Sequence, residues 1–496
     1  MVVGATVPQV RQSFIIRLEY KNSLQDSNDG GEVIIVDTFS VLIGMILPLI
    51  LGWSIVKIIL AKKNFLAFLE KFALSYMIGI GLLSLLMFIL SLLHIAFTFF
   101  NITLSLMISI LLCLLFEVKK SGLPVHFSQK RGEPLKFFDK TLISAIIFVF
   151  IYVFFRSIIT PLEAFDSWAI YGFKAKVFYL AQTVPTSFFM DFTKSYTHFD
   201  YPLSLPLIES WIYICLGSWN DQLVKIIFPF FFLSLIIIFY CNLKKFTGRK
   251  IALLATLLLV TIPYFINFVK TGYADLPFAV YYLISVVYLI RGLREGDKYL
   301  LYISSISCGL AAWTKNEGLV ISLSNTAIFF GLLLIQRKLN RRNLLLFLQY
   351  IFIIFLIISP WFCFKSFLHL SNDIINRNTL TIANIFDNLN RLPAILDCIG
   401  ENMFVFKSLF LFKSWNLIWP LSAIILFFNF KKMFKFPFWP VAISLFLYMG
   451  IWILMYIITP RDINWHLATS ADRLLVGITP LVLFLDVLLI FREPEV

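Results

Sequence analysis

Four short polar segments interrupt an otherwise apolar sequence, and they hold residues suited to acid–base catalysis and to anion binding. Each segment places charged residues at the end of an apolar stretch, where charges are costly and are commonly functional. The segments are PLEAFDSWAIYGFKAK at 161–176, GYADLP at 272–277, WTKNEG at 313–318 and TPRDINWHLATSADR at 459–473. If the stretches between them cross a membrane, one topology puts all four segments on the same face. This arrangement predicts an active site at that face.

The first segment carries two candidates for proton transfer, Glu163 and Asp166, just beyond an apolar stretch. A carboxylate at this place acts as a general base, or as a metal ligand, when an acceptor hydroxyl must lose its proton. We expect Asp166 to be the base of the two. Trp168 and Tyr171 are candidate substrate-binding residues, although the more ordinary role of such aromatic side chains is an interfacial belt.

Two tight turns add further charged residues. Asp275 in GYADLP is a third catalytic candidate, and its alternative role is to cap the next helix by accepting from free backbone amides. Lys315 and Glu317 lie between two apolar stretches that leave almost no loop. Because charges at that depth tend to line cavities, we predict that Lys315 and Glu317 line one, and Glu317 is a candidate substrate-binding residue.

The last segment predicts a phosphate site. Arg461, His466 and Arg473 are close in sequence and stand between two apolar stretches. Two arginines and a histidine bind phosphate or diphosphate well, because their hydrogen bonds are charge-assisted and those of arginine are bidentate. The alternative is a solvated loop whose charges neutralise one another.

Lys174, His198 and Asp200 complete the candidate substrate-binding residues. Lys174 lies about two to three helical turns beyond Asp166, and its alternative role is to anchor to lipid phosphates. His198 and Asp200 belong to YTHFDYP at 196–202. A histidine here could shuttle protons, whereas a lone surface histidine commonly has no role.

The elements that must position these residues are membrane-spanning helices. With 60% hydrophobic and 14% charged residues and a mean hydropathy of +0.88, the chain holds more apolar surface than one soluble core can bury. Stretches long enough to cross about 30 Å of hydrocarbon predict about 13 helices and an all-α polytopic membrane fold. They are 37–60, 72–95, 97–117, 139–159, 222–242, 250–268, 274–292, 299–313, 316–336, 343–368, 414–430, 437–458 and 474–491.

The charge distribution predicts how these helices are oriented. The segments predicted to be cytosolic hold 23 Lys and Arg residues against 5 Asp and Glu residues, although the whole chain carries a net charge of +14. This is the positive-inside bias of membrane proteins rather than a nucleic-acid surface. It predicts a multi-pass protein of the plasma (inner) membrane whose four polar segments face the periplasm or the cell exterior. Those cytosolic segments are 61–71, 118–140, 243–250, 291–298, 337–342 and 431–435.

The same topology divides the chain into three parts. Residues 1–36 form an outer N-terminal segment that lacks the long apolar core of a cleaved signal peptide. Residues 37–138 contribute additional N-terminal transmembrane helices, and 139–492 form the catalytic transmembrane domain with a large outer loop at 160–221. Within that loop, YPLSLPLIESWIYICLG at 201–217 is predicted to be an interfacial or re-entrant helix, because a span here would invert every later loop against the charge bias.

A resemblance adds to this interpretation. The series FDSWAIYGFKAKVFY, HFDYPLSLPLIESWIYICLG, GYADLPFA, AAWTKNEG and RDINWHLATSADRLL resembles the polytopic membrane glycosyltransferases of the GT-C superfamily. The most similar members are the bacterial branch related to protein O-mannosyltransferases and aminoarabinose transferases. The resemblance covers about 139–480, and the order and spacing of the motifs carry more weight than any single motif.

The resemblance implies a role for several residues. Asp166 matches the acidic residue of the first outer loop, which is the catalytic base or a metal ligand, and Asp275 matches the acidic residue of the next outer turn. The lysine that precedes two prolines in aminoarabinose transferases is replaced by Asp200, so phosphate binding falls to Lys315, Arg461 and Arg473. The Asp-Glu pair of the mannosyltransferases is absent, since Ser167 follows Asp166.

The resemblance further implies an enzyme that transfers a hexosyl or pentosyl group from a polyprenyl-phosphate donor at the outer face of the membrane. The acceptor is a glycan, a lipid or a protein, and no nucleic acid takes part. No cofactor is certain, and a divalent cation held by Asp166 and Asp275 is an alternative. Two other functions stay open from the sequence, namely a transporter or flippase of lipid-linked saccharides and an enzyme like the O-antigen ligases and polymerases.

Overall fold

The computed structural model describes residues 32–60, 66–120, 134–404 and 415–492. Over these residues the chain forms helices and turns and no β-strand. The all-α polytopic fold is therefore confirmed. Most of the predicted outer segment 1–36 lies outside the described residues, which begin with the first helix at Glu32.

Nineteen α-helices are present in the described residues. The first eight are α1 (Glu32–Leu60), α2 (Phe68–Leu92), α3 (Phe99–Lys120), α4 (Phe137–Ile159), α5 (Phe173–Ala181), α6 (Thr186–Met190), α7 (Ser204–Leu216) and α8 (Ile227–Thr247). The next six are α9 (Arg249–Val260), α10 (Pro263–Val269), α11 (Asp275–Glu295), α12 (Lys298–Thr314), α13 (Gly318–Ile335) and α14 (Arg341–Phe367). The last five are α15 (Ile382–Asp387), α16 (Leu392–Phe404), α17 (Ile418–Phe428), α18 (Phe438–Ile458) and α19 (Ile463–Phe491).

Ten helices of the described chain are long and apolar enough to cross a membrane, or eleven if α9 and α10, bent by 69° at their junction, form one span. The sequence predicted about 13. The difference lies at 299–313 and 414–430, where α12 has 17 residues and α17 has 11. Residue 414 lies outside the described residues.

The helices differ sharply in how much of their surface the protein covers. The spans of α2, α11 and α19 are mostly buried, whereas those of α3, α4 and α14 are mostly exposed. Because the exposed residues of the latter three are largely apolar, these helices have the character of a lipid-facing outer layer. The functional residues are therefore to be sought at the ends of the buried central helices.

The helix within 201–217 is shorter than a membrane span. α7 has 13 residues and is buried along nearly its whole length, whereas a span needs about 20 residues. Its Trp211 donates from Nε1 to the carbonyl oxygen of Gly44 on α1 at 2.9 Å. A helix covered by protein on nearly all sides does not show the exposed face of a surface-lying amphipathic helix, and the predicted interfacial or re-entrant position stays a prediction.

A buried polar network joins the central helices at one end of the bundle. Glu70 on α2 accepts from Arg291 Nη1 of α11 at 2.7 Å and from Tyr288 Oη at 2.7 Å, and it pairs with Lys245 of α8 at 3.2 Å. Arg291 follows Asp275 on α11 by 16 positions, which at about 1.5 Å per residue is close to the thickness of the hydrocarbon core. The network thus lies at the other end of the bundle from Asp275.

Candidate active site

Asp166 stands at the first residue of a seven-residue π-helical turn, Asp166–Gly172. This turn leads directly into α5, and Ser167 ties it to the preceding chain by donating from Oγ to the Ala164 carbonyl at 2.6 Å. The Asp166 carboxylate accepts from Arg473 Nη1 on α19, with Oδ2 at 2.7 Å. A residue of the first polar segment therefore contacts a residue of the fourth.

Asp275 is the first residue of α11, and its side chain does not cap that helix. Its Oδ1 accepts from Lys315 Nζ at 2.9 Å, and its Oδ2 lies 3.6 Å from Arg473 Nη2. The capping alternative is thus not what the geometry shows. Gly272 permits the tight approach to α11, because its φ of +81° lies in the left-handed region and a Cβ there would lie 2.7 Å from Leu162 Cδ2.

Lys315 and Glu317 lie in the short turn between α12 and α13 and pair with each other at 2.9 Å. The turn is tight because Gly318 packs on the backbone of α12, where a Cβ would meet Ala311 at 2.2 Å. Burial lowers the pKa of Lys315, but the carboxylates of Asp275 and Glu317 outweigh it and raise that pKa above its usual value. Lys315 is therefore a buried cation that is held charged by its two partners.

These contacts join five residues of the four polar segments in one group, which we call the Asp166 cluster. It consists of Asp166, Asp275, Lys315, Glu317 and Arg473. Three carboxylates and two cations give the group a formal charge of −1. Both cations point at carboxylates, so the predicted role of Lys315 and Arg473 as a phosphate clamp is untested by this geometry and stays a prediction.

A second group lies around Asp373 and includes residues that the sequence analysis missed. Asp373 pairs with His198 Nδ1 at 3.1 Å and with Arg461. Burial raises the pKa of Asp373, but the hydrogen bond and charge of His198, together with Arg461, outweigh it and hold that pKa well below its usual range. Arg461 thus belongs to this group and not to the Asp166 cluster.

Asp200 extends the second group toward the first. Its Oδ2 accepts from Asn316 Nδ2 at 2.9 Å and from Asn372 Nδ2 at 2.5 Å. Asn316 stands between Lys315 and Glu317, so it links both groups. We call His198, Asp200, Asn316, Asn372, Asp373 and Arg461 the Asp373 cluster. Burial first, and then the charge of Asp373, raise the pKa of Asp200.

Lys174 lies behind this cluster. It is wholly buried and donates from Nζ to the His198 carbonyl oxygen at 2.7 Å. Burial lowers the pKa of Lys174 from 10.5 to about 7, although the charge of Asp200 opposes the shift. Lys174 therefore supports the loop that carries His198, and its location away from the surface does not suit a lipid anchor.

A cavity separates the two clusters. It is a small cleft that is partly open to solvent. Lys315, Asn316 and Glu317 line one side, while Asn372 and Asp373 line another. The remaining lining is Tyr201, Pro202, Thr314, Val320, Ile374, Ile375, Ile451 and Met455. The cavity thus combines amide, carboxylate and ammonium groups with apolar walls.

The other predicted residues lie at varying distances from the clusters. The Tyr171 side chain is buried, its hydroxyl has no hydrogen-bond partner among the described residues, and it lies within electrostatic reach of Asp166 and Asp275. Trp168 is 40% exposed and packs edge-on against Phe165. Tyr171 is thus the aromatic residue that the structure brings to the Asp166 cluster.

Glu163 and His466 make no direct contact with either cluster in the described structure. Glu163 is exposed, and its charge acts on Lys225 and Lys270. His466 lies in the first turn of α19 and bonds through Nδ1 to Thr459 Oγ1 at 3.0 Å. The predicted roles of both residues remain untested.

The last polar segment is helical rather than a loop. α19 begins at Ile463, since Asp462 caps it by accepting from the Trp465 backbone amide. Arg473 therefore projects from the third turn of a long helix. That explains its reach to Asp166 and Asp275, and it separates Arg473 from Arg461 at the helix start.

Among the described residues, a group other than the predicted pair has ligand atoms close enough together for a metal ion, although an ion there would have to displace Arg461 from Asp373. Arg473 bridges Asp166 and Asp275, so an ion held by these two carboxylates would have to displace the guanidinium. His198, Asp200 and Asp373 each offer a ligand atom, and these atoms lie within 4.8 Å of one another. Imidazole and carboxylate together suit a divalent transition metal.

Comparison with known proteins bears on the same elements. Residues 205–364 match the model of the dolichyl-phosphate-mannose-protein mannosyltransferase family. This family is of GT-C type. The match supports a membrane glycosyltransferase of that type and confirms the resemblance seen in the sequence. It runs from α7 to α14 and includes Asp275, Lys315 and Glu317 of the Asp166 cluster. No curated protein and no solved structure gives a significant match.

Proposed function

We propose that this GT-C type glycosyltransferase moves a hexosyl or pentosyl group from a polyprenyl-phosphate donor to an acceptor hydroxyl, with Asp166 as the general base. The observation that carries the proposal is the Asp166 cluster itself. Four segments far apart in the sequence bring Asp166, Asp275, Lys315 and Arg473 into contact. The family match adds support for a lipid-linked sugar donor and for an acceptor at the membrane.

The reaction that suits these residues is a single displacement at the anomeric carbon. The acceptor oxygen forms a bond to that carbon while its proton passes to the Asp166 carboxylate. The bond between the anomeric carbon and the phosphate oxygen breaks, and the polyprenyl phosphate leaves with the electron pair. Because attack is in line with the leaving oxygen, the anomeric configuration inverts.

Two features favour Asp166 over Asp275 as the base. The Asp166 side chain is 15% exposed, whereas that of Asp275 is 3% exposed, so an acceptor reaches Asp166 more easily. Asp275 pairs with Lys315 at 2.9 Å and lies beside Arg473, which leaves it the role of holding the two cations. Arg473 in turn fixes the position of the Asp166 carboxylate through the contact at 2.7 Å.

The cavity beside the cluster suits the sugar. Asn316 and Asn372 carry amides that donate and accept hydrogen bonds, as sugar hydroxyls require. Val320, Ile451 and Met455 supply apolar walls. A mixed lining of this kind binds a compact polar molecule by a few directed hydrogen bonds.

The face on which transfer occurs is proposed to be the periplasm or the cell exterior. The cationic segments of the sequence favour the opposite, cytosolic side for the Glu70–Arg291 end of the bundle. The Asp166 cluster lies at the other end of α11 from Arg291. This orientation places the site in a plasma (inner) membrane, where a lipid-linked donor is presented to the outside.

The test uses Asp166→Asn, with Asp191→Asn as the matched control. Asp191 is a half-buried aspartate of the same outer segment, with a side chain that is 38% exposed, and it pairs with Lys194 at 3.0 Å. Purified variants are incubated with a panel of radiolabelled polyprenyl-phosphate sugars, and donor consumption is measured. We expect Asp166→Asn to lose at least about 100-fold in rate, with Asp191→Asn unaffected. Full activity of a folded Asp166→Asn protein would refute the assignment of the base.

A further inference from the structure

Three cations meet at one end of the bundle, outside the two clusters described above. Arg156 lies in the last turn of α4, Lys225 in the short 3-10 turn before α8, and Lys270 at the end of α10. The charges of Lys270 and Arg156 act on Lys225, and that of Arg156 acts on Lys270. We call these three residues the Lys225 cluster.

Lys225 is the buried member of the cluster and contacts the segments that carry the other two. Its residue is 1% exposed, and its Nζ donates to Thr160 Oγ1 at 2.8 Å and to the Lys270 carbonyl oxygen at 3.1 Å. An ammonium group has three hydrogens to donate, so two are used and the third has no acceptor among the described residues. The two acceptors are neutral, which leaves the positive charge of Lys225 uncompensated by them.

The cluster has more positive than negative charge. Glu163 is the carboxylate whose charge acts on Lys225 and Lys270, and it is exposed. Three cations and one carboxylate give a formal charge of +2. None of the three cations forms an ion pair within the part of the chain that the structure describes. Lys225 is buried, Lys270 is half-buried and Arg156 is exposed. The buried charge of Lys225, with two like charges near it, is costly unless an anion joins the group.

The position of the cluster indicates what kind of anion that is. α4 is an outer helix whose apolar side chains face away from the protein, as at Phe155, which is 53% exposed, and Ile159, which is 61% exposed. Arg156 stands between these two lipid-facing residues, at the end of the span. This is the depth at which lipid phosphates lie, and lysine and arginine at this depth bind them.

The Asp166 cluster does not offer the same chemistry. There, Lys315 and Arg473 are paired with carboxylates and the group carries a charge of −1. The Lys225 cluster together with Glu163 carries +2. We therefore propose that the Lys225 cluster binds the phosphate headgroup of a membrane lipid, through charge-assisted hydrogen bonds from Arg156, Lys225 and Lys270. This inference stands on the charges and their location and does not depend on the proposed catalytic reaction.

The experiment uses the purified full chain in a maltoside detergent, which carries no phosphate. Binding of radiolabelled undecaprenyl phosphate is compared between wild type, the double variant Arg156→Gln/Lys270→Gln, and a control double variant Lys194→Gln/Arg377→Gln. The control removes two cations elsewhere on the outer segments, the half-buried Lys194, which pairs with Asp191, and the exposed Arg377. Lys225 is left in place because it is buried, and all proteins are checked to be monodisperse.

The expected result is binding that is roughly 30-fold weaker in the Arg156→Gln/Lys270→Gln variant, since each interfacial cation contributes about 1 kcal/mol to the affinity for anionic lipid. The control variant binds like wild type. Rising salt weakens binding to wild type more steeply than to the double variant. A change of less than about threefold in the double variant, or equal binding of polyprenol without phosphate, would overturn the proposal.

Two competitors identify the source of the phosphate. If unlabelled undecaprenyl phosphate displaces the probe better than phosphatidylglycerol, the site selects the polyprenyl carrier. If the two compete equally, it accepts the phosphate of any anionic membrane lipid, and the proposal still holds. If inorganic phosphate competes as well as either lipid, the membrane anchor contributes nothing and the assignment to a lipid is wrong.

Discussion

Replacing Arg473 with glutamine is the most informative single change in the Asp166 cluster. The guanidinium contacts Asp166 at 2.7 Å and lies 3.6 Å from Asp275, so its loss removes the one group that joins these two carboxylates. Three carboxylates and two cations give −1 in the native cluster, and three carboxylates with Lys315 alone give −2. Asp166 and Asp275 then repel each other without a cation between them.

The size of the effect follows from burial. The side chains of Arg473 and Asp166 are 18% and 15% exposed, so the pair is largely shielded from water. Breaking a fully buried pair by removing one partner costs about 3–5 kcal/mol, and the residual exposure reduces the expected loss to roughly 2–3 kcal/mol of unfolding free energy. Asp166→Asn removes the same pair, so the double variant should show a coupling of about 1–3 kcal/mol rather than a simple sum.

The assay measures unfolding free energies in micelles, by steric trapping, for wild type, Arg473→Gln, Asp166→Asn and the double variant. Arg377→Gln is the control, since Arg377 is an exposed arginine. Arg473→Lys keeps the charge but not the bidentate hydrogen bonding of a guanidinium. Its free energy of unfolding should lie between those of wild type and Arg473→Gln. If the two single losses add within about 0.5 kcal/mol, or if Arg473→Gln is as stable as Arg377→Gln, the pair does not organise the cluster.

Two further changes test the surroundings of the site. Gly272→Ala should lower the free energy of unfolding by about 1–3 kcal/mol and slow transfer, because φ at Gly272 is +81° and the new Cβ would lie 2.7 Å from Leu162. Gly450→Ala is the matched control, since Gly450 lies in open space on a helix. Equal shifts in melting temperature for the two variants would contradict this prediction. Lys174→Met should stabilise the protein most below pH 7, because the folded-state pKa of Lys174 is about 7 against 10.5, so wild type gains stability as pH rises between these values. The difference in melting temperature between Lys174→Met and wild type is measured at pH 6.5 and 9.5, with Lys194→Met as control. If that difference is the same at both pH values, burial does not penalise the charge of Lys174.

The residue types of the Asp166 cluster were predictable from sequence, but their partners were not. Asp166, Asp275 and Lys315 were singled out because charges at the ends of apolar stretches are costly. Arg473 was predicted to bind phosphate together with Arg461 and His466, because these side chains form charge-assisted hydrogen bonds. Its actual partner, Asp166, is 307 positions away, and only the packing of α19 along the bundle shows that the two meet.

Asp373 and Asn372 show what sequence reasoning missed. They lie in SNDIINRN at 371–378, a stretch whose asparagines and charges resemble an ordinary solvated connector. Nothing local distinguishes them from the neighbouring Asn376 or Arg377. Their importance comes from tertiary contacts alone, because Asn372 meets Asp200 across 172 positions. The prediction that the main outer loop lies early in the chain drew attention away from them.

The spans were the most predictable part of the fold, and their exceptions have a physical reason. Hydropathy alone cannot tell a lipid-facing helix from one covered by protein, because both are apolar. α7 shows this, since its apolar residues pack against α1, α2 and α5 rather than lipid. The charge bias, and not its hydropathy, is what argued against a span here, in agreement with its length of 13 residues.

The Asp166 cluster is negative and the Lys225 cluster is positive, and this separation of charge constrains where the phosphate of a lipid-linked donor can bind. A base must stay anionic to accept a proton, and a phosphate placed directly against three carboxylates would be repelled by their net charge of −1. Cations that are already paired cannot offset this repulsion without releasing Asp166 or Asp275. The unpaired charge of the Lys225 cluster lies instead at the lipid-facing end of α4, and Glu163 connects it in sequence to Asp166 only three residues later. A phosphate held there would leave the Asp166–Arg473 pair intact, so the anion that departs and the carboxylate that takes the proton would be stabilised by different cations.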